Sequence, residues 1–93
     1  MKETVLSSEL MQQTFIVVPA YNENACIEKV IRELRLTRAN VVVVDDGSTD
    51  ETYDTARREA TYVLRHVVNR GQGAALQTGI EFSLSRGARF IVT

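Results

Sequence analysis

The sequence feature that most constrains the fold is a run of four valines, residues 41–44, followed directly by Asp45 and Asp46. Four consecutive apolar residues without polar alternation are typical of a strand buried on both faces, as in parallel α/β sheets. Because an unpaired buried carboxylate costs several kcal/mol, we expect both acids to emerge at the carboxyl edge of the sheet, facing solvent. Open α/β proteins bind their ligands at that edge.

The residues that follow the two acids predict a turn and then a helix. Gly47 permits backbone conformations that are closed to most side chains. Ser48 and Glu51 have the spacing of a capping box, which predicts a helix over residues 50–60.

Three further β-branched or aromatic runs predict strands over residues 14–18, 62–68 and 89–93, with Pro19 ending the first. The order of segments predicts an α/β fold: a three-layer α/β/α, Rossmann-like parallel sheet with strand order 3-2-1-4. Residues 1–13 are interpreted as a lead-in that is partly disordered. Residues 14–93 are interpreted as the amino-terminal part of a longer domain, because a domain rarely finishes on an exposed strand.

Two more helices are predicted between these strands. Asn22 or Asn24 is expected to cap the first helix, and residues 74–85 form the last, with small Ala75 and Gly79 allowing close approach to the sheet. Gly87 is placed to end that helix. The buried face of the first helix follows a 3.6-residue period and consists of Ile27, Val30, Ile31 and Leu34.

Composition excludes several classes of protein. A net charge of −1 offers no basic surface for nucleic acid. No apolar run approaches the ~18 to 20 residues of a membrane span, and residues 1–12 are mixed and polar, without the apolar block of a signal peptide. The lone Cys26 cannot form an internal disulfide and is expected to be a small reduced core or boundary residue, so a cytoplasmic location is the default.

All three strand-to-helix junctions are expected at one edge of the sheet, where their loops would form one site. The first junction, residues 19–23, contains no glycine, which argues against a dinucleotide-binding Gly-x-Gly-x-x-Gly turn. Residues 71–73, Gly-Gln-Gly, lack the ending of a P-loop, and a tight turn before a close-packed helix explains them equally well.

The side chains near this edge allow both functional and structural interpretations. Adjacent strand residues point to opposite faces, so Asp45 and Asp46 are poorly placed to chelate one metal. An ionised carboxylate could accept ring N–H groups or ribose hydroxyls, or could merely hold backbone N–H groups of a turn. Tyr21 is interpreted as a stacking platform rather than a core residue, Glu23 as a first-turn helix residue, and His66 as a satisfied boundary residue rather than a metal ligand.

Three motifs, at residues 17–23, 43–52 and 69–75 with Gly79, occur in an order and spacing that resembles the amino-terminal, nucleotide-sugar-binding half of a family-2 glycosyltransferase. The likeness is greatest to transferases that use dolichol or polyprenyl phosphate, and it covers about Phe15 to Thr93. It implies a truncated GT-A type nucleotide-sugar-binding domain, a UDP- or GDP-sugar donor, and a polyprenyl phosphate or saccharide acceptor. The residues it assigns to the nucleotide site are Pro19, Ala20, Tyr21, Glu23, Asp45, Asp46, Arg70 and Gln72.

The same resemblance implies Mg²⁺ or Mn²⁺ in the full-length parent, held by an Asp-any-Asp motif after the fourth strand. The present sequence stops at Thr93, where that motif would start. We therefore expect the 93 residues to bind nucleotide weakly, to bind no metal and to contain no catalytic residue. The parent is expected to invert the anomeric carbon, working in the cytoplasm or at the cytoplasmic face of a membrane.

Two alternatives remain open from the sequence. A phosphorelay receiver domain also has a valine-rich strand that ends in two acids, but there the pair follows the first strand, and a third strand ends in a phosphoacceptor Asp rather than in Arg65-His66. The other alternative is a non-catalytic binding module.

Overall fold

The computed structural model describes residues 8–93. In chain order its elements are β1 (Thr14–Ala20), α1 (Asn24–Arg35), β2 (Asn40–Asp46), α2 (Thr52–Glu59), β3 (Tyr62–His66), α3 (Gln72–Ser85) and β4 (Phe90–Val92). A short helical segment at residues 8–12 precedes β1. That segment falls within the predicted lead-in, whose residues 1–7 lie outside the described part of the chain.

Within residues 8–93 the strands form one four-stranded sheet of order β3-β2-β1-β4, with every neighbouring pair parallel. The predicted order is confirmed. The registers pair Ala20 with Asp45 and Asp46 with His66, so these strands all end at the same edge.

The valine run of β2 is the centre of the core, and its four side chains are fully buried. Val41 and Val43 pack with Ile27 and Ile31 of α1 and Ala56 of α2 on one face of the sheet. On the other face, a second apolar cluster packs beneath α3, which gives the predicted three layers. Its buried members are Phe15, Val17, Val42, Val44 and Ala75.

The close packing of α3 depends on Gly79. A Cβ at this position would overlap Val17 Cγ1 and lie 3.1 Å from Val44 Cγ2. Gly87, with φ of +84°, follows the last turn and donates its N–H to the Leu84 carbonyl. Both predicted glycine roles are confirmed.

The carboxyl ends of β1 and β3 each lie two residues from the predicted position, and β4 is one residue shorter at each end than predicted. β1 continues through Pro19 to Ala20. A proline is tolerated there because β1 pairs with β4 only as far as Ile16, so that side of the strand has no neighbour. β3 ends at His66, and Val67 and Val68, predicted to be strand residues, are exposed in the following loop.

Three expectations about the helices are wrong. The residue that precedes α1 is Glu23, and neither Asn22 nor Asn24 caps it through a side chain. α2 begins at Thr52 without the predicted capping box of Ser48 and Glu51. On α1 itself, Val30 and Cys26 are exposed, and the residues of this helix in the core cluster are Ile27, Ile31 and the partly buried Leu34.

None of the helices in residues 8–93 has the length and apolar character needed to cross a membrane.

Candidate functional site

Three loops meet at the carboxyl edge of the sheet, as the parallel topology requires. They follow β1 (residues 21–23), β2 (47–51) and β3 (67–71). Side chains and backbone groups of these loops are tied together by hydrogen bonds between residues more than twenty positions apart. The edge is therefore one connected structure.

The loops after β1 and β2 are joined through Asn22, whose φ is +51°. Asn22 Oδ1 accepts the N–H groups of Thr49 at 2.8 Å and Asp50 at 3.3 Å. In return, the N–H of Asn22 donates to Ser48 Oγ at 2.8 Å, and the N–H of Glu23 donates to Thr52 Oγ1 at 2.9 Å. The side chains expected to cap helices thus connect the two loops instead.

The loops after β2 and β3 are joined through Asp46, which is only 3% exposed. Its Oδ1 accepts the N–H of Arg70, and its Oδ2 accepts the N–H of Gly71, both at 2.8 Å. Oδ1 also lies 2.8 Å from His66 Nδ1. The prediction that Asp46 faces solvent is wrong, because three N–H groups of the next loop and strand surround the carboxylate.

These contacts decide the charge of Asp46. Burial on its own raises the pKa of the carboxyl, but the hydrogen bond with His66 and the N–H groups of Arg70 and Gly71 lower it by more. The resulting pKa lies below the usual 3.8, so Asp46 is an anion at neutral pH.

Gly47, like Asp46, supports the loop between β3 and α3. Its φ is +76°, and a Cβ there would lie 2.5 Å from the N of Asn69 and 2.6 Å from the carbonyl carbon of Val68. Only glycine allows the turn after β2 to touch the backbone of the β3–α3 loop this closely.

Asp45 points to the other face of the sheet, as the strand alternation predicts. It is fully buried beside α2, with its Oδ2 3.4 Å from Arg65 Nε and its Oδ1 3.4 Å from the N–H of Ser48. No good hydrogen bond reaches Oδ2. The prediction that Asp45 faces solvent is also wrong, and the structure does not bring it to the cavity described next.

A cavity of about 270 Å³ lies between the β1–α1 loop and the β3–α3 loop. Tyr21, a residue that is 46% exposed, lies at its rim, and the buried Asp46 lies at its base. Gln72, the first residue of α3, lines it, whereas the exposed side chain of Arg70 does not. The residues around it are Pro19, Ala20, Tyr21, Glu23, Asp46, Asn69, Gly71, Gln72 and Ala75.

Six of the eight residues assigned from the sequence therefore lie together: Pro19, Ala20, Tyr21, Glu23, Asp46 and Gln72. The sequence did not assign Asn69, Gly71 or Ala75 to the site. It also did not show that Asn22 joins the loops after β1 and β2. A polar residue directly before Arg-Gly at a strand end was a usable signal for Asn69. No local pattern identified the partners of Asn22, because they lie 27 and 28 residues away.

The residues present do not suit a divalent metal ion. Among residues 8–93, no three His, Cys, Asp or Glu side chains come together as ligands. Asp45 and Asp46 lie on opposite faces of β2, and three N–H donors already occupy Asp46.

His66 is satisfied on both ring nitrogens, as expected of a structural residue, with Thr78 Oγ1 2.8 Å from its Nε2. The third strand thus ends in a buried histidine where a receiver domain would carry its phosphoacceptor Asp.

Comparison with known proteins agrees with this geometry. An uncharacterized protein of Methanocaldococcus jannaschii is 44% identical over 82 residues, which is 87% of this chain and 34% of that protein. A UDP-N-acetylglucosamine–dolichyl-phosphate N-acetylglucosaminyltransferase of Methanococcus voltae is 29% identical over 97 residues, covering 85% of this chain and 39% of that enzyme. The chain thus spans little more than a third of the length of these curated relatives.

Among solved structures, a mannosyltransferase from Pyrobaculum calidifontis, in complex with GDP-Man and Mn²⁺, matches with a TM-score of 0.65 and 29% identity. The match covers 75% of this chain and 24% of that one, and it confirms the GT-A type of Rossmann-like fold. Residues 15–93 match the family described as Glycosyl transferase family 2. The chain therefore belongs to glycosyl transferase family 2.

Proposed function

We propose that this chain is the nucleotide-diphospho-sugar-binding part of a glycosyltransferase. The parent would move a sugar from a UDP or GDP donor to an acceptor hydroxyl or lipid phosphate. The observation that carries the proposal is the cavity between Tyr21 and the start of α3, at the edge where open α/β sheets bind ligands. Its volume of about 270 Å³ suits part of a nucleotide rather than the whole donor.

The rim of the cavity suits a nucleobase and ribose. The half-exposed ring of Tyr21 offers a stacking face, and the neighbouring Pro19 and Ala20 form an apolar wall. Glu23 is exposed and its carboxylate could accept ribose hydroxyls.

Asp46 keeps one place for a ligand. An ionised carboxylate has about four lone-pair sites. Two on Oδ1 face His66 and Arg70, and one on Oδ2 faces Gly71, which leaves a single site on Oδ2. Asp46 would accept one N–H of a base or one ribose hydroxyl while still holding the loop.

The diphosphate would lie toward the first turn of α3, near the exposed Arg70 and Gln72. The first N–H groups of a helix lack intrahelical partners and favour anions. The parent is proposed to use Mg²⁺ or Mn²⁺, and residues 8–93 contain no group of three His, Cys, Asp or Glu side chains that could hold such an ion.

The acceptor and the location are proposed from the relatives. One of them is named for dolichyl phosphate, which supports a polyprenyl phosphate acceptor and, because such an acceptor is a lipid, a parent protein that works at a membrane surface. A non-catalytic binding module is the alternative that the sequence leaves open. Sugar transfer by the full-length parent would exclude it.

The test is a titration of the chain with UDP and with GDP, followed by amide chemical shifts. Shifts at Tyr21 and Gly71 that saturate are expected. Tyr21→Leu should weaken binding about tenfold, since stacking a base on an aromatic ring contributes roughly 1 to 3 kcal/mol. Tyr53→Leu is the matched control, because Tyr53 lies beneath Arg65 on the opposite face. Unchanged shifts at millimolar nucleotide, in a folded sample, would reject the proposal.

A further inference from the structure

The carboxylate of Asp46 is held in place by a buried histidine. His66, the last residue of β3, lies 2.8 Å through Nδ1 from Asp46 Oδ1 and 2.8 Å through Nε2 from Thr78 Oγ1. Its ring therefore joins β2, β3 and α3 at the base of the cavity. Among the residues that line the cavity, only Asp46 is contacted by this ring through a hydrogen bond.

The chemistry of the partners determines the proton position on His66. Asp46 is ionised and can only accept, so Nδ1 must carry the proton. In the neutral ring Nε2 is then an acceptor and takes the hydroxyl proton of Thr78. Of the two tautomers of the neutral ring, the contacts therefore select Nδ1–H.

The loop that Asp46 holds has little else to stabilise it. Val67 is 96% exposed and Val68 is 64% exposed, so burial of these side chains contributes little. The two N–H bonds to Asp46 and the backbone contact with Gly47 are the observed attachments of this loop to β2. Rotation of the Asp46 carboxylate would break both N–H bonds together.

We propose that His66 is a positioning residue for nucleotide binding: it keeps Asp46 oriented, and Asp46 in turn holds the backbone N–H groups of Arg70 and of Gly71, a residue of the cavity wall. The link to nucleotide rests on the proposed function above, whereas the link to the loop does not. His66 itself touches no ligand in this scheme.

The experiment compares variants of the chain by amide hydrogen exchange without nucleotide, and then by affinity for UDP and GDP. His66→Leu removes both ring contacts, and His66→Asn restores a donor to Asp46 alone. Thr78→Val removes only the hydroxyl that contacts His66 Nε2, and it replaces His66→Leu in the test if that variant does not fold. The control is Ser83→Ala, which removes a buried hydroxyl of α3 that bonds to Gly79 and not to the loop.

In the hydrogen-exchange experiment, His66→Leu should speed exchange at the amides of Arg70 and Gly71 about fivefold or more, beyond any change at the core amide of Val42. A fivefold change corresponds to roughly 1 kcal/mol, the contribution of one lost hydrogen bond. His66→Asn should recover most of this, and Ser83→Ala should change all three amides equally. With Thr78→Val, a smaller change in the same direction is expected. Equal changes at the loop and at Val42 in the His66 and Thr78 variants would overturn the proposal.

The proton position is a separate check. The chain contains one histidine, so its ring ¹⁵N signals need no assignment among several. A pyrrole-type Nδ1 with a pyridine-type Nε2 is expected, and the reverse would overturn the inferred orientation of the network.

In the affinity arm, His66→Leu should weaken UDP or GDP binding about fivefold, with recovery in His66→Asn. If hydrogen exchange in the loop responds as expected but the chain binds neither UDP nor GDP, the proposed function is rejected and the action of His66 on the loop is supported. Affinity unchanged by His66→Leu in a chain that binds would overturn the positioning of nucleotide.

Discussion

Asp46 Oδ2 accepts the backbone N–H of Gly71 at 2.8 Å, so the acid that ends β2 holds the residue that directly precedes α3. The same carboxylate binds the N–H of Arg70 and the ring of His66. A side chain assigned to ligand binding from the sequence is therefore also the main attachment of a loop, and its replacement should affect both stability and binding.

Asp46→Asn is expected to destabilise the chain by about 2 to 4 kcal/mol. The amide keeps the shape but can no longer accept from all three donors, and each hydrogen bond to a charged group contributes about 1.5 to 3 kcal/mol. Urea unfolding measures the effect. A loss below about 0.5 kcal/mol would show that the loop does not depend on the carboxylate.

Asp46 should also contribute to the loss of stability in acid. Its folded-state pKa lies below 3.8. The unfolded chain therefore binds more protons between that folded value and 3.8, and stability rises with pH across this window. The contribution is fully present above 3.8 and is lost as the pH falls through the folded-state pKa.

The pH effect is measured by comparing wild type and Asp46→Asn in urea from roughly pH 2 to 5, the range in which carboxylates of lowered pKa titrate. The difference in the free energy of unfolding between wild type and Asp46→Asn should shrink as the pH falls. Asp50, whose pKa is lowered mainly by the Thr52 hydroxyl, is present in both proteins, so its contribution to the pH dependence of stability cancels in the comparison. A difference that is constant with pH would contradict the lowered pKa of Asp46.

Gly47→Ala should cost more than 1 kcal/mol, because the left-handed φ alone costs an L-residue roughly 1 to 2 kcal/mol. The added methyl would also press on the backbone of Val68 and Asn69. Gly73→Ala is the matched control: apart from its chain neighbours and the backbone of its own helix, no atom lies within 4 Å of its Cβ position, and Gly73 is inside α3. That change should stabilise by about 0.5 to 1 kcal/mol. Thermal unfolding of both variants checks the opposite signs.

Asn22→Ala should loosen the β1–α1 loop, since the N–H groups of Thr49 and Asp50 lose their acceptor. A cost of about 1 to 3 kcal/mol is expected from the lost bonds. Asn22→Gly loses the same bonds but tolerates φ of +51°, so it should be the less damaging change. Equal free energies of unfolding for the two variants would rule out a contribution from backbone strain.

Much of the architecture was predictable because it depends on patterns within a few residues. The valine run identified β2, the period of Ile27 and Ile31 identified the buried face of α1, and parallel connections placed three loops at one edge. The errors occur where two local preferences compete. Pro19 remains in β1 because one side of the strand is unpaired there, and Asn22 does not cap α1 because it binds the neighbouring loop.

The sequence by itself determined the order of strands and helices, the parallel sheet and the edge that carries the candidate site, because apolar periodicity and turn residues act over short stretches of chain. Only the tertiary structure decided what Asp46 does there. Its three N–H partners lie 20, 24 and 25 residues away, so no local pattern could show that the carboxylate would be buried and surrounded by donors. Desolvation forces such a group to find partners, and the fold supplies them from β3 and the loop before α3.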